Sequence, residues 1–192
     1  AERISRLDWN GSLQTGELVR AVMRGVSVDW ETHASRLEDM RGEDLEQLFH
    51  EDMLGDDLPP CEINRVKKIG AHYGFPFCHA GDVVDPEFGK LGRCEDTVAP
   101  VQRLGAHVAP LGLQFYSGAQ FPRAWRGRLL FAEHGSWNRS SKVGYRLAQL
   151  KFDGARVVGY EDFVTGWLRP DGKVVGRPVD VLQWPDGSIL VS

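Results

Sequence analysis

Histidine and aspartate residues between positions 72 and 107 are the first candidates for chemistry, because together they could bind a metal ion. Their order along the chain is His72, His79, Asp82, Asp85 and His107. Zinc sites use tighter paired spacings such as His-x3-His, and the sequence contains no such pair. The spacing therefore favours histidines that make hydrogen bonds in loops over a metal cluster.

A second candidate is the run Glu133-His134-Gly135-Ser136, which contains the residue types of a hydrolase triad. Catalytic triads are spatial arrangements, and adjacent residues of a strand point to opposite faces. The nucleophile elbow Gly-x-Ser-x-Gly is also absent from the sequence. His134 is therefore expected to be structural or to line a pocket.

Basic residues form a third candidate, because several cations close together can bind an anionic ligand. Arg139, Lys142 and Arg146 follow one another closely, and Arg177 lies further along the chain. From residue types alone, a solvated basic loop and an ion pair between Arg177 and a nearby aspartate explain these residues equally simply.

Asp56, Asp57 and Glu62 form an acidic group near a turn. Calcium prefers oxygen ligands of this kind, but the residues lack the spacing of an EF-hand. A solvated turn is the simpler interpretation.

The elements that would position these residues fall into two regions. Residues 1–53 are charged and have helical spacing in part, so we expect an irregular or helical stretch there. From residue 54 onward, short apolar segments alternate with Gly, Asp and Pro, which is typical of an all-β fold. We predict strands over residues 62–67, 129–133, 144–152, 156–160 and 179–184, and a turn at Asp153-Gly154.

Composition excludes two classes of function. The 192 residues carry a net charge of −4 without a long basic run, so nothing indicates a nucleic-acid surface. No run of 18 or more apolar residues could span a membrane. The final hairpin ends on a bare apolar strand, from which we expect a partial sequence of a longer protein.

The three cysteines allow one internal bridge at most. Cys78 and Cys94 flank a loop rich in Gly, Asp and Pro, and a bridge there would contribute roughly 3 kcal/mol for a loop of about 15 residues. A bridge would indicate an oxidising compartment. Two unbridged thiols fit the sequence equally well.

Five segments resemble the sorbosone dehydrogenase and soluble aldose dehydrogenase family. They are residues 54–60 (LGDDLPP), 72–79 (HYGFPFCH), 104–118 (LGAHVAPLGLQFYSG), 131–139 (FAEHGSWNR) and 176–181 (GRPVDV). The resemblance covers residues 54–192. It implies a six-bladed β-propeller that binds pyrroloquinoline quinone (PQQ) and calcium and oxidises sugars.

The same resemblance implies residue roles. Lys142 and Arg177 match the basic residues that contact the carboxylates of the quinone, and several cations suit a ligand with three carboxylates. Trp137, Asn138 and Arg139 are expected as wall residues of that pocket. His107 is expected to border it.

The sequence also departs from the family. An Arg-Asn pair close to the quinone is missing at Arg24-Gly25-Val26, and residues 50–52 (HED) occupy the calcium-binding position. The blade that would carry the catalytic His is not in the sequence. Residues 27–51 therefore look foreign to the fold, and the catalytic and metal-binding residues remain unassigned.

The prediction is a partial six-bladed β-propeller of about three to four blades over residues 54–192. Residues 1–53 form a poorly fitting stretch, or part of an inner blade. The resemblance implies hydride transfer from a sugar to PQQ, a cytochrome or quinone as electron acceptor, and a periplasmic or secreted parent protein. Two alternatives are a non-catalytic propeller fragment or binding module and a calcium-dependent propeller hydrolase of the lactonase type.

Overall fold

The computed structural model describes residues 54–67 and 70–192 of the chain. The predictions for residues 1–53, including the helical stretch and the foreign segment 27–51, lie outside these residues. Within the described residues, 54–65 and 73–192 belong to one compact unit, and residues 66, 67 and 70–72 lie outside it. The fold and the site below concern this compact unit.

The described residues are mostly β-strands joined by loops and three short 3-10 turns, without an α-helix. The strands are β1 (Pro60–Ile63), β2 (Cys78–His79), β3 (Val83–Val84), β4 (Gln102–Ala106), β5 (Pro110–Phe115), β6 (Leu129–Glu133), β7 (Arg146–Asp153), β8 (Arg156–Val164), β9 (Val181–Gln183) and β10 (Ile189–Val191). Among the described residues, no helix has the length and apolar composition needed to cross a membrane.

Strands β5, β6, β7 and β8 form an antiparallel four-stranded sheet in chain order. The predicted turn is confirmed, because Asp153 pairs with Arg156 and Gly154 has a φ of 58° between them. All five residues of β6 are buried, as its apolar sequence predicts. A four-stranded meander of this kind is the repeating unit of a propeller.

Both faces of this sheet pack against other strands. Leu129, Phe131 and Leu150 belong to one apolar cluster with Ile63 of β1 and Leu104 of β4. On the other face, buried residues of β6 and β7 pack with Val181 of β9; they are Leu130, Ala132 and Leu147. The sheet is therefore covered on both sides, as a blade between two neighbours would be. The described sheets do not close into a ring.

Four of the five predicted strands have different bounds in the structure. The strand predicted over residues 156–160 extends to Val164, and the one predicted over residues 179–184 shortens to Val181–Gln183. The segment predicted over residues 62–67 is paired only as far as Ile63, where the partner strand β4 begins at Gln102. The strand predicted from residue 144 begins at Arg146, because Gly144 and Tyr145 have φ values of 79° and 57°. A left-handed backbone interrupts an extended strand.

A long connection joins β1 to its partner β4, and this connection contains the β2–β3 hairpin. Cys78 and Cys94 form a disulfide within it, which decides between the two interpretations of these cysteines. Cys61 is not part of a disulfide. The bridge holds together a segment with very little regular secondary structure.

Candidate functional site

The loop between β6 and β7, residues 134–145, is closed by its own hydrogen bonds. The Ser136 amide donates to the carbonyl of Val143 at 3.0 Å, and the Ser136 Oγ accepts from the Val143 amide at 3.1 Å. The buried Tyr145 hydroxyl donates to the Ser136 carbonyl. Gly135 packs directly on the Tyr145 ring, since a Cβ at this position would lie 2.5 Å from a ring carbon. The loop is therefore a rigid platform for its exposed side chains.

Arg177 lies beneath this loop and contacts its backbone. Its guanidinium donates to the carbonyl of Gly135 at 2.7 Å and to that of Ser136 at 3.1 Å. It also contacts the Tyr145 hydroxyl at 3.0 Å and lies 4.8 Å from the centre of that ring. The partners of Arg177 are thus backbone carbonyls and an aromatic ring, and not an aspartate as in one interpretation of the sequence.

Arg139 and the neighbouring Ser140 hold the turn that follows Leu54. Arg139 donates to the Asp56 carbonyl and, at 2.8 Å, to the Asp57 carboxylate. The Ser140 amide donates to the Asp56 carboxylate at 3.0 Å, and the Ser140 hydroxyl also donates to it. These two hydrogen bonds from Ser140 lower the pKa of Asp56 below its ordinary value. The acidic turn is therefore bound to the loop that carries the predicted wall residues.

His107 contacts the same turn from another loop. Its Nε2 donates to the Gly55 carbonyl at 2.7 Å, and the residue is buried with a φ of 64°. Of the other predicted wall residues, Trp137 is exposed and Asn138 is half-buried. The turn at residues 54–57 is thus the place where His107 and Arg139 meet.

Lys142 projects from the loop into a shallow cavity of about 410 Å³. Its ammonium donates to the Gly172 carbonyl at 2.8 Å. The cavity contains a second cation, Arg169, and two hydroxyl groups, and its lining has no acidic residue; the lining residues are Ser140, Ser141, Lys142, Leu168, Arg169, Pro170 and Gly172. Sequence reasoning missed Arg169, because an exposed arginine between Leu168 and Pro170 carries no motif.

A second cavity, of about 390 Å³, lies between β1 and the segment that starts at Tyr73. Its lining residues are Pro59, Pro60, Cys61, Glu62, Tyr73, Gly74, Phe75, Cys78, His79, Ala80, His107 and Pro110. Among the predicted site residues, His107 lines this cavity and Lys142 lines the other. Arg177 lines neither of the two.

His79 and Asp85 form a buried pair at the wall of the second cavity. The Nε2 of His79 lies 3.0 Å from the Oδ2 of Asp85. The other carboxylate oxygen of Asp85 accepts from the amides of Glu87 at 2.9 Å and Phe88 at 2.7 Å. Among the described residues, no group of three or more His, Cys, Asp or Glu residues could hold a metal ion. The spacing argument for hydrogen-bonding histidines agrees with these contacts.

Glu133, His134 and Ser136 have separate partners and do not form a triad in the structure. Glu133 is fully buried and binds Arg146 at 2.7 Å, and it also accepts from Tyr160. His134 Nδ1 contacts the Pro178 carbonyl at 3.2 Å, and the Ser136 Oγ accepts from Val143.

The partners of Glu133 have altered acidities. Burial, the hydrogen bond to Glu133 and its charge raise the pKa of Tyr160 well above its usual range. Burial by itself would lower the pKa of Arg146, but hydrogen bonding and attraction to Glu133 raise it. The network keeps Arg146 charged where β7 begins.

Two sequence comparisons match parts of this chain. A family model described as TrAA12-like matches residues 87–162. A curated protein of Borreliella burgdorferi, described as an uncharacterized protein, is 41% identical over 143 residues, which are 73% of this chain and 38% of that protein.

Two solved structures are similar over most of the described residues. The calcium structure of Trichoderma reesei Carbohydrate-Active Enzymes Family AA12 has a TM-score of 0.55 at 22% identity and covers 72% of this chain and 41% of that one. The holo form of the Pyranose Dehydrogenase PQQ domain from Coprinopsis cinerea has a TM-score of 0.56 at 19% identity and covers 72% and 42%. The chain spans about two fifths of the length of these relatives. It therefore shares the fold of part of a propeller-type dehydrogenase.

Proposed function

We propose that the chain is part of an oxidoreductase that oxidises a sugar with PQQ as the hydride acceptor. The observation that carries this proposal is that the family-like segments contact one another across long stretches of sequence. His107 and Arg139 bind the turn at residues 54–57, and Arg177 binds the loop at Gly135. The segment from Tyr73 to His79 shares a cavity with His107. Segments far apart in sequence thus contribute to one region, as a site requires.

The charge of the Lys142 cavity supports an anionic cofactor. PQQ has three carboxylates, and a cavity lined by Lys142 and Arg169 without an acidic residue suits such a group. When bound, PQQ supplies the carbon that accepts the hydride. We propose that Lys142 contacts a carboxylate directly and that the rigid loop at residues 134–145 orients it. Trp137, Asn138, Arg139 and His107 remain proposed wall residues of the quinone pocket, although none of the four lines the Lys142 cavity itself.

Arg177 remains a proposed contact of the cofactor, but it could reach the cofactor only by giving up its present hydrogen bonds. Its three hydrogen bonds to the loop and to Tyr145 would have to be exchanged for contacts to the cofactor. We therefore propose that Arg177 acts on the cofactor indirectly, by holding the loop that carries Lys142.

The calcium-binding position that the resemblance implies, residues 50–52, lies outside the described residues. The carbonyls of Gly55 and Asp56 accept hydrogen bonds from His107 and Arg139. The carboxylate of Asp56 accepts from Ser140, and no cluster of three ligand-type side chains occurs in residues 54–67 and 70–192. We therefore assign no step to calcium in this chain.

The disulfide supports a location for the protein outside the cytoplasm. Disulfides such as Cys78–Cys94 persist in oxidising compartments. We propose a periplasmic or secreted protein that passes electrons to a cytochrome or a quinone.

The test is a titration of the chain with PQQ, with and without added calcium. Binding is followed by quenching of tryptophan fluorescence, and turnover by reduction of an electron-accepting dye with glucose or sorbosone. Dye reduction supports the proposal, and PQQ binding without turnover supports the non-catalytic module. Lactone hydrolysis without PQQ would support the hydrolase.

The Lys142→Ala variant shows whether Lys142 contacts the cofactor. Losing a charge-assisted contact of about 1.5–3 kcal/mol weakens PQQ binding by roughly 10-fold to 150-fold. Lys151→Ala is the matched control, because Lys151 lies on β7 and pairs with Glu161 away from the cavity. Equal affinities of the two variants would argue against the proposed contact.

A further inference from the structure

Three residues with a left-handed backbone conformation lie around the base of the loop at residues 134–145. His107, Ala109 and Tyr145 have φ values of 64°, 52° and 57°. They are three of the four residues other than glycine that have a positive φ in the part of the chain that the structure describes. This conformation is unfavourable because it brings Cβ too close to a backbone carbonyl oxygen. Strained backbone of this kind persists only where the surrounding structure maintains it, and it clusters at functional sites.

The connection between β4 and β5 supports both ends of the loop. The His134 amide donates to the Ala109 carbonyl at 3.0 Å. The Gly135 amide donates to the Val108 carbonyl at 2.9 Å. At the other end of the loop, a Cβ on Gly144 would lie 3.1 Å from the same Val108 oxygen. The loop therefore begins and ends against the strained connection.

The same connection also supports the middle of the loop, through the turn at residues 54–57. His107 binds this turn from the connection, and Ser140 binds it from the loop. Ser140 is in turn part of the wall of the Lys142 cavity. The strained backbone at His107 is thus linked to the wall of that cavity by two hydrogen-bonded contacts.

Tyr145 closes the C-terminal end of the loop. Its side chain is buried, and its hydroxyl donates to the Ser136 carbonyl and accepts from Arg177 at 3.0 Å. Its ring packs directly against Gly135. These contacts hold Tyr145 in its left-handed conformation, three residues after Lys142.

We propose that the strained backbone at His107, Ala109 and Tyr145 fixes the loop in its binding geometry before the anionic ligand arrives, and that Tyr145 is the positioning residue that maintains this geometry. The inference rests on the proposed function for the identity of the ligand, and it deepens that function by assigning a role to residues that do not line the Lys142 cavity. A loop that is ordered beforehand loses little conformational entropy on binding. Folding, and not binding, then carries the free-energy cost of ordering the loop.

The experiment compares Tyr145→Phe with Tyr116→Phe as its matched control. Each variant removes the hydroxyl of a buried tyrosine that donates to a backbone carbonyl; that of Tyr116 binds Gly187, in the turn between β9 and β10, at 3.0 Å. Both variants should therefore unfold at similarly lowered temperatures. Tyr145→Phe should in addition weaken PQQ binding roughly threefold to tenfold, as measured by tryptophan fluorescence. Tyr116→Phe should bind PQQ as the unmodified chain does.

A second pair of variants tests the strain itself. Glycine adopts the left-handed conformation without strain, but it has more conformational freedom than alanine. Ala109→Gly should therefore weaken PQQ binding roughly twofold to fivefold. Ala80→Gly is the control, because Ala80 has a φ of 51° and lies between β2 and β3; it should not change PQQ binding.

Hydrogen exchange of the loop amides, measured without PQQ, separates this inference from the proposed function. The amides of Ser136 and Val143 are hydrogen-bonded within the loop, and they should exchange roughly threefold to tenfold faster in Tyr145→Phe than in Tyr116→Phe. That result supports the positioning role even if PQQ does not bind the unmodified chain, in which case only the proposed function fails. Equal exchange rates in the two variants overturn the positioning role. Faster exchange in Tyr145→Phe with an unchanged affinity for PQQ overturns it as well, because the geometry of the loop would then not matter to the ligand.

Discussion

Replacing Arg146 by methionine should be among the most destabilising single changes in the blade. Glu133 is fully buried and receives hydrogen bonds from Arg146 and Tyr160. Breaking a buried ion pair by removing one partner costs about 3–5 kcal/mol, because a buried charge loses its compensation. The Arg146 side chain is 28% exposed, so some water can reach the gap and the lower part of this range applies. Its other ion pair, to the more exposed Asp162, adds little.

We therefore expect the Arg146→Met variant to lose about 3 kcal/mol of unfolding free energy in urea titrations. Arg156→Met is the matched control, because Arg156 pairs with Asp153 at 3.5 Å with both side chains about three-quarters exposed. The control should change stability by less than about 0.5 kcal/mol. If the two variants lose similar amounts, Glu133 has another source of compensation and the reasoning is wrong.

The remaining predictions concern the loop, the disulfide and Tyr160. Gly135→Ala should destabilise the fold by about 2–5 kcal/mol, since a methyl group would overlap the Tyr145 ring at a φ of 97°, and thermal unfolding measures the loss. Cys94→Ser should lower the unfolding free energy by about 3 kcal/mol through the opened loop, while dithiothreitol should weaken only the unmodified chain. Because its pKa is raised, the contribution of Tyr160 to the unfolding free energy is fully present below about pH 10 and is lost as the pH rises further. The Tyr160→Phe variant should lack this alkaline loss, which urea titrations at several pH values measure.

Local patterns predict the strands of the central sheet well. The apolar run of β6 and the Asp153-Gly154 turn are signals carried by neighbouring residues, and the structure has both elements at the expected positions. Strand ends are less predictable, because a partner determines them. Polar and apolar residues continue to alternate beyond Ile63 in the segment over residues 62–67, but β4 has no residue that pairs with them there.

Contacts between distant residues could not be predicted from residue types. Arg177 fits an aspartate pair or a cofactor contact equally well by sequence, and the Gly135 carbonyl that it binds is 42 residues away. The cysteine spacing likewise fits a bridge and two thiols, and only the fold brings Cys78 to Cys94. The resemblance supplied candidates, whereas the geometry assigns them different surroundings.

Lys142 and Arg177, the two cations that the resemblance selects for the cofactor, differ in how many hydrogen bonds they would have to give up to bind it. Lys142 is exposed and has one hydrogen bond to exchange, to the Gly172 carbonyl. Arg177 has three such bonds and a ring contact, and each bond made by a charged donor contributes about 1.5–3 kcal/mol. An anion that recruited Arg177 would therefore have to replace several of these contacts and would loosen the loop that carries Lys142. Binding through Lys142 leaves that loop intact, so an anionic cofactor should depend on Lys142 for direct contact and on Arg177 for the shape of the site.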